Sequence, residues 1–459
     1  MSICESGMRS KVKPGRILVA ITEKHPLIML ALTLPWVELY NIISTDLKKG
    51  RWWLGRKLKV RIHLGVFILQ QLYDLTDRET EYGLKDNAAY RIFCGYGIVK
   101  KWHAPDHTAI QKFRSRLSPE TQRLLANKIT QYAAEIGFAE PKDVDIDSTV
   151  QEANMTYPTD AKMLRKLGAL VANVSEKLKG IFPDIDLPTI DLKDIAVKAR
   201  NCFFQKRYAT TEEKSENLDQ LWNAVSISVI QAVKACKGLC EDQLSQLKWN
   251  VRNAVDQLLS HGEAYLADSR VFIETGKAIK SKRLSFHLDE VECFSKGKAH
   301  KKHEFGRAFQ LARIGGNFIF VAACNTIRMD DKKSIEPILA EHETLFGSGA
   351  LETLSTDKGY YSKKNVKKAI KHGVSKVGIQ QPSVVEENIA QLSSEDVLDL
   401  YNRRSGIEPL IGHIKQGGQL GRSRMKSDET IKASGYASVL GFNLRQLIRS
   451  QQEMGKIAA

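Results

Sequence analysis

The chain has 459 residues, of which 42% are hydrophobic and 27% charged. That balance belongs to a folded globular protein and excludes a mostly disordered one. Lysine and arginine number 69 against 53 acids, a formal charge of +16, which points to polyanionic partners, nucleic acid ahead of an anionic membrane surface.

At about 100–200 residues per domain, roughly three domains are expected. The longest apolar stretch near the N-terminus, residues 26–37, is interrupted by Pro35 and is far short of the roughly 20 residues a spanning helix needs. Glu23 and Lys24 follow the basic residues Lys11, Lys13 and Arg16, which argues against a secretory signal. No membrane association is expected. Seven scattered cysteines suit free thiols in a reducing, cytoplasmic setting. Cys236 and Cys240 have no second pair at zinc-ligand spacing.

Residues 1–135 read as a mainly helical N-terminal domain. Residues 58–75 carry apolar side chains at helical spacing (Val60, Leu64, Phe67, Ile68, Leu72). Thr76 and Glu79 have the spacing of a capping box, and Ser118-Pro119-Glu120 is a strong helix start after a short helix at 106–117. Such helices suit a helix-turn-helix-like DNA-binding domain and an ordinary bundle equally. Residues 48–61 hold seven basic side chains, no acid, and Trp52 and Trp53. Lys57, Lys59 and Arg61 are candidate phosphate contacts from this run; a solvated basic face with two core tryptophans is the alternative.

Residues 143–150 alternate as a strand, with Asp145, Asp147 and Thr149 on one face. Residues 161–283 return to helix, most clearly at 221–235 and 242–259. Strands at 304–311 and 317–323 flank Gly315-Gly316, a hairpin turn. Helix 333–346, strand 351–356 ending at Asp357, helix 362–371, strand 374–379, a largely helical 394–415 and a last helix at 434–454 follow. A hairpin is antiparallel and strands separated by helices are usually parallel. The expected fold is therefore α/β, with a mixed-sheet, ribonuclease-H-like catalytic core at 140–160 and 284–420. A helical insertion (161–283) interrupts that core, and a C-terminal basic loop and helix (421–459) follow it.

Three acids stand out: Asp147 on the first strand, Asp357 at the carboxyl end of a later one, and Glu408 in a helical region. Sites in open α/β sheets form beyond the carboxyl ends of parallel strands. Three carboxylates at one point require a compensating cation. Magnesium is the usual choice where phosphates complete the shell, and two such ions support in-line displacement at phosphorus. Tyr401, Arg404, Glu408 and Lys415 form Y-x2-R-x3-E-x6-K. In one continuous helix these four lie within about 60° of each other. Pro409 allows two arrangements: a kinked helix, or a new helix capped by Ser405.

Together with SGIEPLIGHIK, DIDSTVQEANMTYPTDAKML and TLSTDKGYYS, this pattern resembles the DDE transposases of bacterial insertion sequences, in the superfamily numbered four and five. The segment LKVRIHLGVFILQQLYDLTDRETEYGLKDNAAYRIFCG resembles their N-terminal domain. The resemblance implies Asp147, Asp357 and Glu408 as catalytic residues and metal ligands, holding two Mg2+ ions, with Mn2+ as a possible substitute. It implies Tyr401, Arg404 and Lys415 as contacts to transposon-end DNA. The implied partners are double-stranded DNA, both inverted-repeat ends and target, and a second copy of the chain in a synaptic homodimer. The implied setting is bacterial, cytoplasmic and nucleoid-associated.

Two departures stand out. The long insertion follows the first strand, while the gap at 380–393 is short. Relatives that form DNA hairpins stack a flipped base on a tryptophan near the second acid, and the last tryptophan here is Trp249; Tyr360 and Tyr361 are the substitutes at hand, with packing as their alternative role. Arg422 and Arg424 follow the glutamate helix and are further candidate DNA contacts, as is the cluster Lys296, Lys298, Lys301 and Lys302. The expected function is cleavage at the element ends and joining of the 3′-hydroxyls to target DNA. A ribonuclease-H-like nuclease without strand transfer and an inactive DNA-binding relic are the alternatives.

Overall fold

The structure, a computed structural model, describes residues 22, 24–48, 59–96, 103–204, 211–277, 279, 282–298, 301–322, 331–379 and 392–457. The chain divides into two compact units, Met1–Asn154 with Cys293–Ala459, and Met155–Glu292.

The first unit opens with helices α1 (Pro26–Thr33), α2 (Trp36–Lys48), α3 (Val60–Leu72), α4 (Asp77–Asp86), α5 (Ala88–Phe93), α6 (His107–Arg114) and α7 (Pro119–Glu135). Their starts follow the capping residues. Thr76 and Glu79 complete a capping box on α4. Asp106 accepts from the Ala109 amide at 2.7 Å to start α6, and Ser118 accepts from the Thr121 amide ahead of α7.

Strand β1 (Asp143–Glu152) precedes the second unit, which holds α8 (Asp160–Lys179), α9 (Leu192–Phe204), α10 (Thr211–Lys237), α11 (Glu241–Gln246) and α12 (Trp249–Thr275). These helices enclose their own apolar core, including Leu167, Val171, Leu221, Val225, Leu258 and Tyr265. The single helix expected at 242–259 is two. Leu247 takes an extended backbone (ψ 131°) and buries its side chain, which ends α11.

The rest of the first unit comprises β2 (Glu292–Lys298), β3 (Lys301–Ile314), β4 (Phe318–Val321), α13 (Asp331–Phe346), β5 (Thr353–Thr356), α14 (Lys363–Lys371), β6 (Lys376–Ile379), α15 (Ser394–Ser405), α16 (Ile407–Gln416) and α17 (Asp428–Ile457). The strands form one mixed sheet in the order β2-β3-β1-β5-β6, with β4 also on β3. The β3–β4 hairpin turns at Gly315–Asn317, where Gly316 adopts φ +76°. β1 runs antiparallel to β3 and parallel to β5, and β5 is parallel to β6. These directions follow from the connections: a tight turn reverses the chain, and a helical crossover restores its direction.

Helices α7 and α17 seal the edge of β4. Asn443 of α17 accepts from the Ile319 amide at 3.1 Å and donates to its carbonyl at 2.7 Å. Asn127 of α7 does the same for Val321, at 2.9 and 3.0 Å. Both asparagines are fully buried. Their amides stand in for a missing neighbouring strand, which satisfies the edge and blocks pairing with another chain. Leu64, Phe67, Ile129, Phe309, Phe320 and Leu440 accordingly belong to one continuous core. The N-terminal helices and the sheet thus fold as one unit rather than as separate bodies.

Candidate active site

β1 and β5 lie side by side with Asp145 opposite Ser355. Two residues further along each chain, Asp147 on β1 and Asp357 just past β5 come to the same end of the parallel pair. Asp357 also caps the following turn, accepting from the Gly359 amide at 2.8 Å. α15, started by a Ser393–Asp396 capping box, packs behind them: the Ser355 hydroxyl donates to the Leu400 carbonyl at 2.8 Å. It carries Arg403 and Arg404, and α16 carries Glu408 in its first turn.

One guanidinium joins the three acids. Arg404 donates to Glu408 Oε1 at 2.9 Å and to Asp147 Oδ2 at 3.2 Å, and it lies 4.0 Å from Asp357 Oδ2. Burial is the main force on Asp147 and pushes its carboxyl up to about 6. Arg404 and the Ser148 amide pull it back, and the charges of Asp357 and Glu408 add to the rise. Glu408 is the exposed member, at 60% of its side chain against 16% for Asp147.

The arginine beside it has a different task. Arg403 donates through Nε to Asp145 and through Nη1 to Asp143, both at 2.8 Å, and also to Thr353. Arg313 reaches Asp145 from β3 at 3.4 Å and holds the Arg403 carbonyl at 3.1 Å. Asp145 is nearly buried, and burial pushes its carboxyl above the usual range while the two arginines oppose the shift. This network ties α15 to β1 and β5. Arg403, Arg313, Asp143 and Asp145 were not among the expected site residues. The signals that point to them are the adjacent arginine pair and the D-x-D-x-D alternation on β1.

At Pro409 the structure adopts a third arrangement. α15 ends at Ser405, whose hydroxyl donates back to the Asn402 carbonyl at 2.7 Å and so caps nothing. The new helix starts after Gly406, so Pro409 falls in a first turn, where a missing N–H costs nothing.

Tyr401 is exposed on α15, and Lys415 is half-buried two turns beyond Glu408. The backbone of Arg422 bridges to Glu152 at the far end of β1. Arg424 is paired with Asp74 at 2.8 Å. Lys59 is exposed, with its ammonium 5.3 Å from the Tyr96 ring. Arg61 corrects its expectation: it turns inward, stacking 3.3 Å over the Trp36 ring and donating to the Phe93 carbonyl at 2.9 Å, so it is not offered to a phosphate. Lys57, Trp52 and Trp53 lie outside the described residues, as do the side chains of the Lys296–Lys302 cluster. Tyr360 is fully buried, with its hydroxyl on Gln310 at 2.7 Å, which removes it as a base-stacking surface.

The donor set fits a hard divalent cation. Three carboxylates face one shared position, which already holds a positive charge, and the Nε of Arg404 is buried with no hydrogen-bond partner among the described residues. Arg404 is therefore less completely seated than Arg403. Among the described residues no three His, Cys, Asp or Glu side chains stand as a group that could hold a metal ion; Arg404 is the charge that contacts these acids. No single described helix is long and apolar enough to cross a membrane.

The family described as "Transposase domain (DUF772)" matches residues 16–116, and the family described as "Transposase DDE domain" matches residues 295–444. A Rhizobium meliloti protein described as "Uncharacterized protein ORF8 in nfe locus" is 24% identical over 166 residues, 35% of this chain and 78% of its own length. No solved structure matches the chain. The first match lies on the N-terminal helices and the second runs from β2 into α17, and together they support a DDE transposase of insertion sequences, an enzyme acting on DNA.

Proposed function

We propose that this transposase binds the ends of its insertion sequence, cleaves DNA there, and joins the freed 3′-hydroxyls to target DNA by phosphoryl transfer on a ribonuclease-H-like core. The single observation that carries the reading is the convergence of Asp147, Asp357 and Glu408 on Arg404. The strand order, with an antiparallel hairpin on one side of β1 and parallel strands on the other, supports the core assignment.

The family works with divalent metal ions. Asp147, Asp357 and Glu408 are the residues that would hold them. Two magnesium ions, with manganese as substitute, would supply activation of an attacking oxygen and stabilisation of a leaving one. The protein's own part is positioning. Arg403 fixes α15 against β1, so that Arg404 and Glu408 face Asp147. Arg404 exchanges its carboxylate partners for phosphate oxygens when DNA enters, a change that suits a guanidinium because it matches both groups bidentately. Tyr401 and Lys415 lie on the same helical pair and steady the strand near the cleaved phosphate. The N-terminal helices, with Lys57 and Lys59, and the loop bearing Arg422 and Arg424 hold the duplex further out. Synapsis of two ends calls for a homodimer.

The test uses a labelled duplex carrying an element end. Asp357→Ala is expected to abolish magnesium-dependent strand cleavage and 3′-end joining while end binding persists. Normal cleavage by this variant overturns the assignment. Cleavage without joining by the unmodified protein favours a nuclease, and end binding alone favours a relic.

A further inference from the structure

We propose that the lysine face of α14 is a contact surface for the phosphate backbone of duplex DNA, read without regard to sequence; the proposal rests on the transposase reading above.

α14 is KKNVKKAIK, five lysines and no acid in nine residues. Asn365, Val366 and Ala369 form its buried side. Lys363, Lys364, Lys367, Lys368 and Lys371 line one shallow depression of about 370 Å³ on the outer side. The arrangement works against the helix itself. Lys363 and Lys364 occupy the first turn, where the helix dipole disfavours cations. Lys363–Lys367, Lys364–Lys368 and Lys367–Lys371 are like-charge pairs at i,i+4, each of which destabilises the helix. Glu336 answers Lys368, while Lys364, Lys367 and Lys371 stand exposed. A polyanion relieves this repulsion.

The face is fixed relative to the candidate site. Asn365, in the first turn of α14, donates to the Tyr360 carbonyl at 2.9 Å and the Lys332 carbonyl at 2.8 Å. Tyr360 closes the turn that Asp357 caps. The lysines are thus held at a set place beside the second acid, on a helix about 13 Å long. That length runs alongside roughly four base-pair steps of the duplex axis at 3.4 Å each. The side chains are all lysine. An ammonium is a point charge that neutralises phosphate, and it lacks the fork by which arginine reads guanine edges. A sequence-neutral contact of this kind suits DNA whose sequence varies from one event to the next, which is the target duplex rather than the terminal repeat.

The experiment compares the full chain with Lys364→Gln/Lys367→Gln/Lys371→Gln. Binding is measured to a random-sequence duplex and to an element-end duplex over a salt series. Loss of three phosphate contacts makes the slope of log K against log salt shallower by about 2.7. The expected result is that loss on the random duplex, with fewer strand-transfer products and a thermal midpoint that holds or rises as the like-charge pairs are removed. The same loss confined to the end duplex overturns the sequence-neutral reading of this face. Unchanged slopes on both duplexes overturn the proposal. Magnesium-dependent cleavage by the unmodified protein in the same preparation tests the underlying transposase reading separately, because the salt slope does not depend on it.

Discussion

Arg403 donates to Asp145 at 2.8 Å, and this bond decides where the next residue, Arg404, reaches. Asp145 is 4% exposed, so its charge depends on its arginine partners. Removing one partner of a buried pair costs about 3–5 kcal/mol where the other charge is left uncompensated. Arg313 still reaches Asp145 at 3.4 Å, so Arg403→Ala is expected to lower the unfolding free energy by less than that amount in a urea titration. Arg403→Ala/Asp145→Asn is expected to lose less than the sum of the single variants. Strict additivity of the two changes refutes the pairing as a source of stability.

Arg404 is the positive charge among Asp147, Asp357 and Glu408. Arg404→Gln leaves three carboxylates facing one another. The metal-free variant is expected to melt below the unmodified protein. Magnesium is then expected to raise its Tm by a further roughly 1–2 °C beyond the rise it produces in the unmodified chain, since about 1 kcal/mol of extra linkage corresponds to that shift in a unit of this size. A smaller rise in the variant shows that the guanidinium and the metal do not compete for one place.

The elements that position these residues were legible where local chemistry decides them. The capping box at Thr76 and Glu79, the serine-proline start of α7 and the glycine turn between β3 and β4 all appear where the sequence directs them. The acids were legible through their motif spacing, although nothing in the spacing says that a single arginine joins them. Contacts across long chain separations were not legible. Arg403 meets Asp145 across 258 residues, and only the folded register brings an arginine pair on a helix to alternate carboxylates on a strand. Arg61 reads as one more cation in a basic run, but Trp36 and the Phe93 carbonyl draw it inward.

The seal on β4 was hidden for the same reason. Asn443 sits 124 residues from Ile319 and looks like any polar residue in an amphipathic helix. Asn443→Leu leaves the buried Ile319 amide without its acceptor, while the Ile319 carbonyl keeps the Thr130 hydroxyl at 2.8 Å. Loss of about 1–3 kcal/mol is expected by chemical denaturation, together with faster hydrogen exchange of the Ile319 amide. Exchange at that amide as slow as in the unmodified chain contradicts the role assigned to Asn443 at the sheet edge.

Asp147 makes the stability of the metal-free protein depend on pH. Its carboxyl is pushed up to about 6 in the fold, from an ordinary 3.8. The ionised form is therefore less favourable in the folded state than in the unfolded one. Below 3.8 both states hold the proton and no penalty exists. The penalty grows between 3.8 and 6 and is constant above 6, reaching about 3 kcal/mol at most. Asp147→Asn cannot ionise, so in EDTA it is expected to be more stable than the unmodified chain at pH 8, with the advantage vanishing as pH falls toward 4. Thermal melts at pH 4, 5, 6 and 8 read this directly. Added magnesium is expected to reverse the order at pH 8, because the unmodified carboxylate gains a cation that asparagine binds poorly. An advantage for the variant that stays constant across the series places the energetic origin outside this carboxyl.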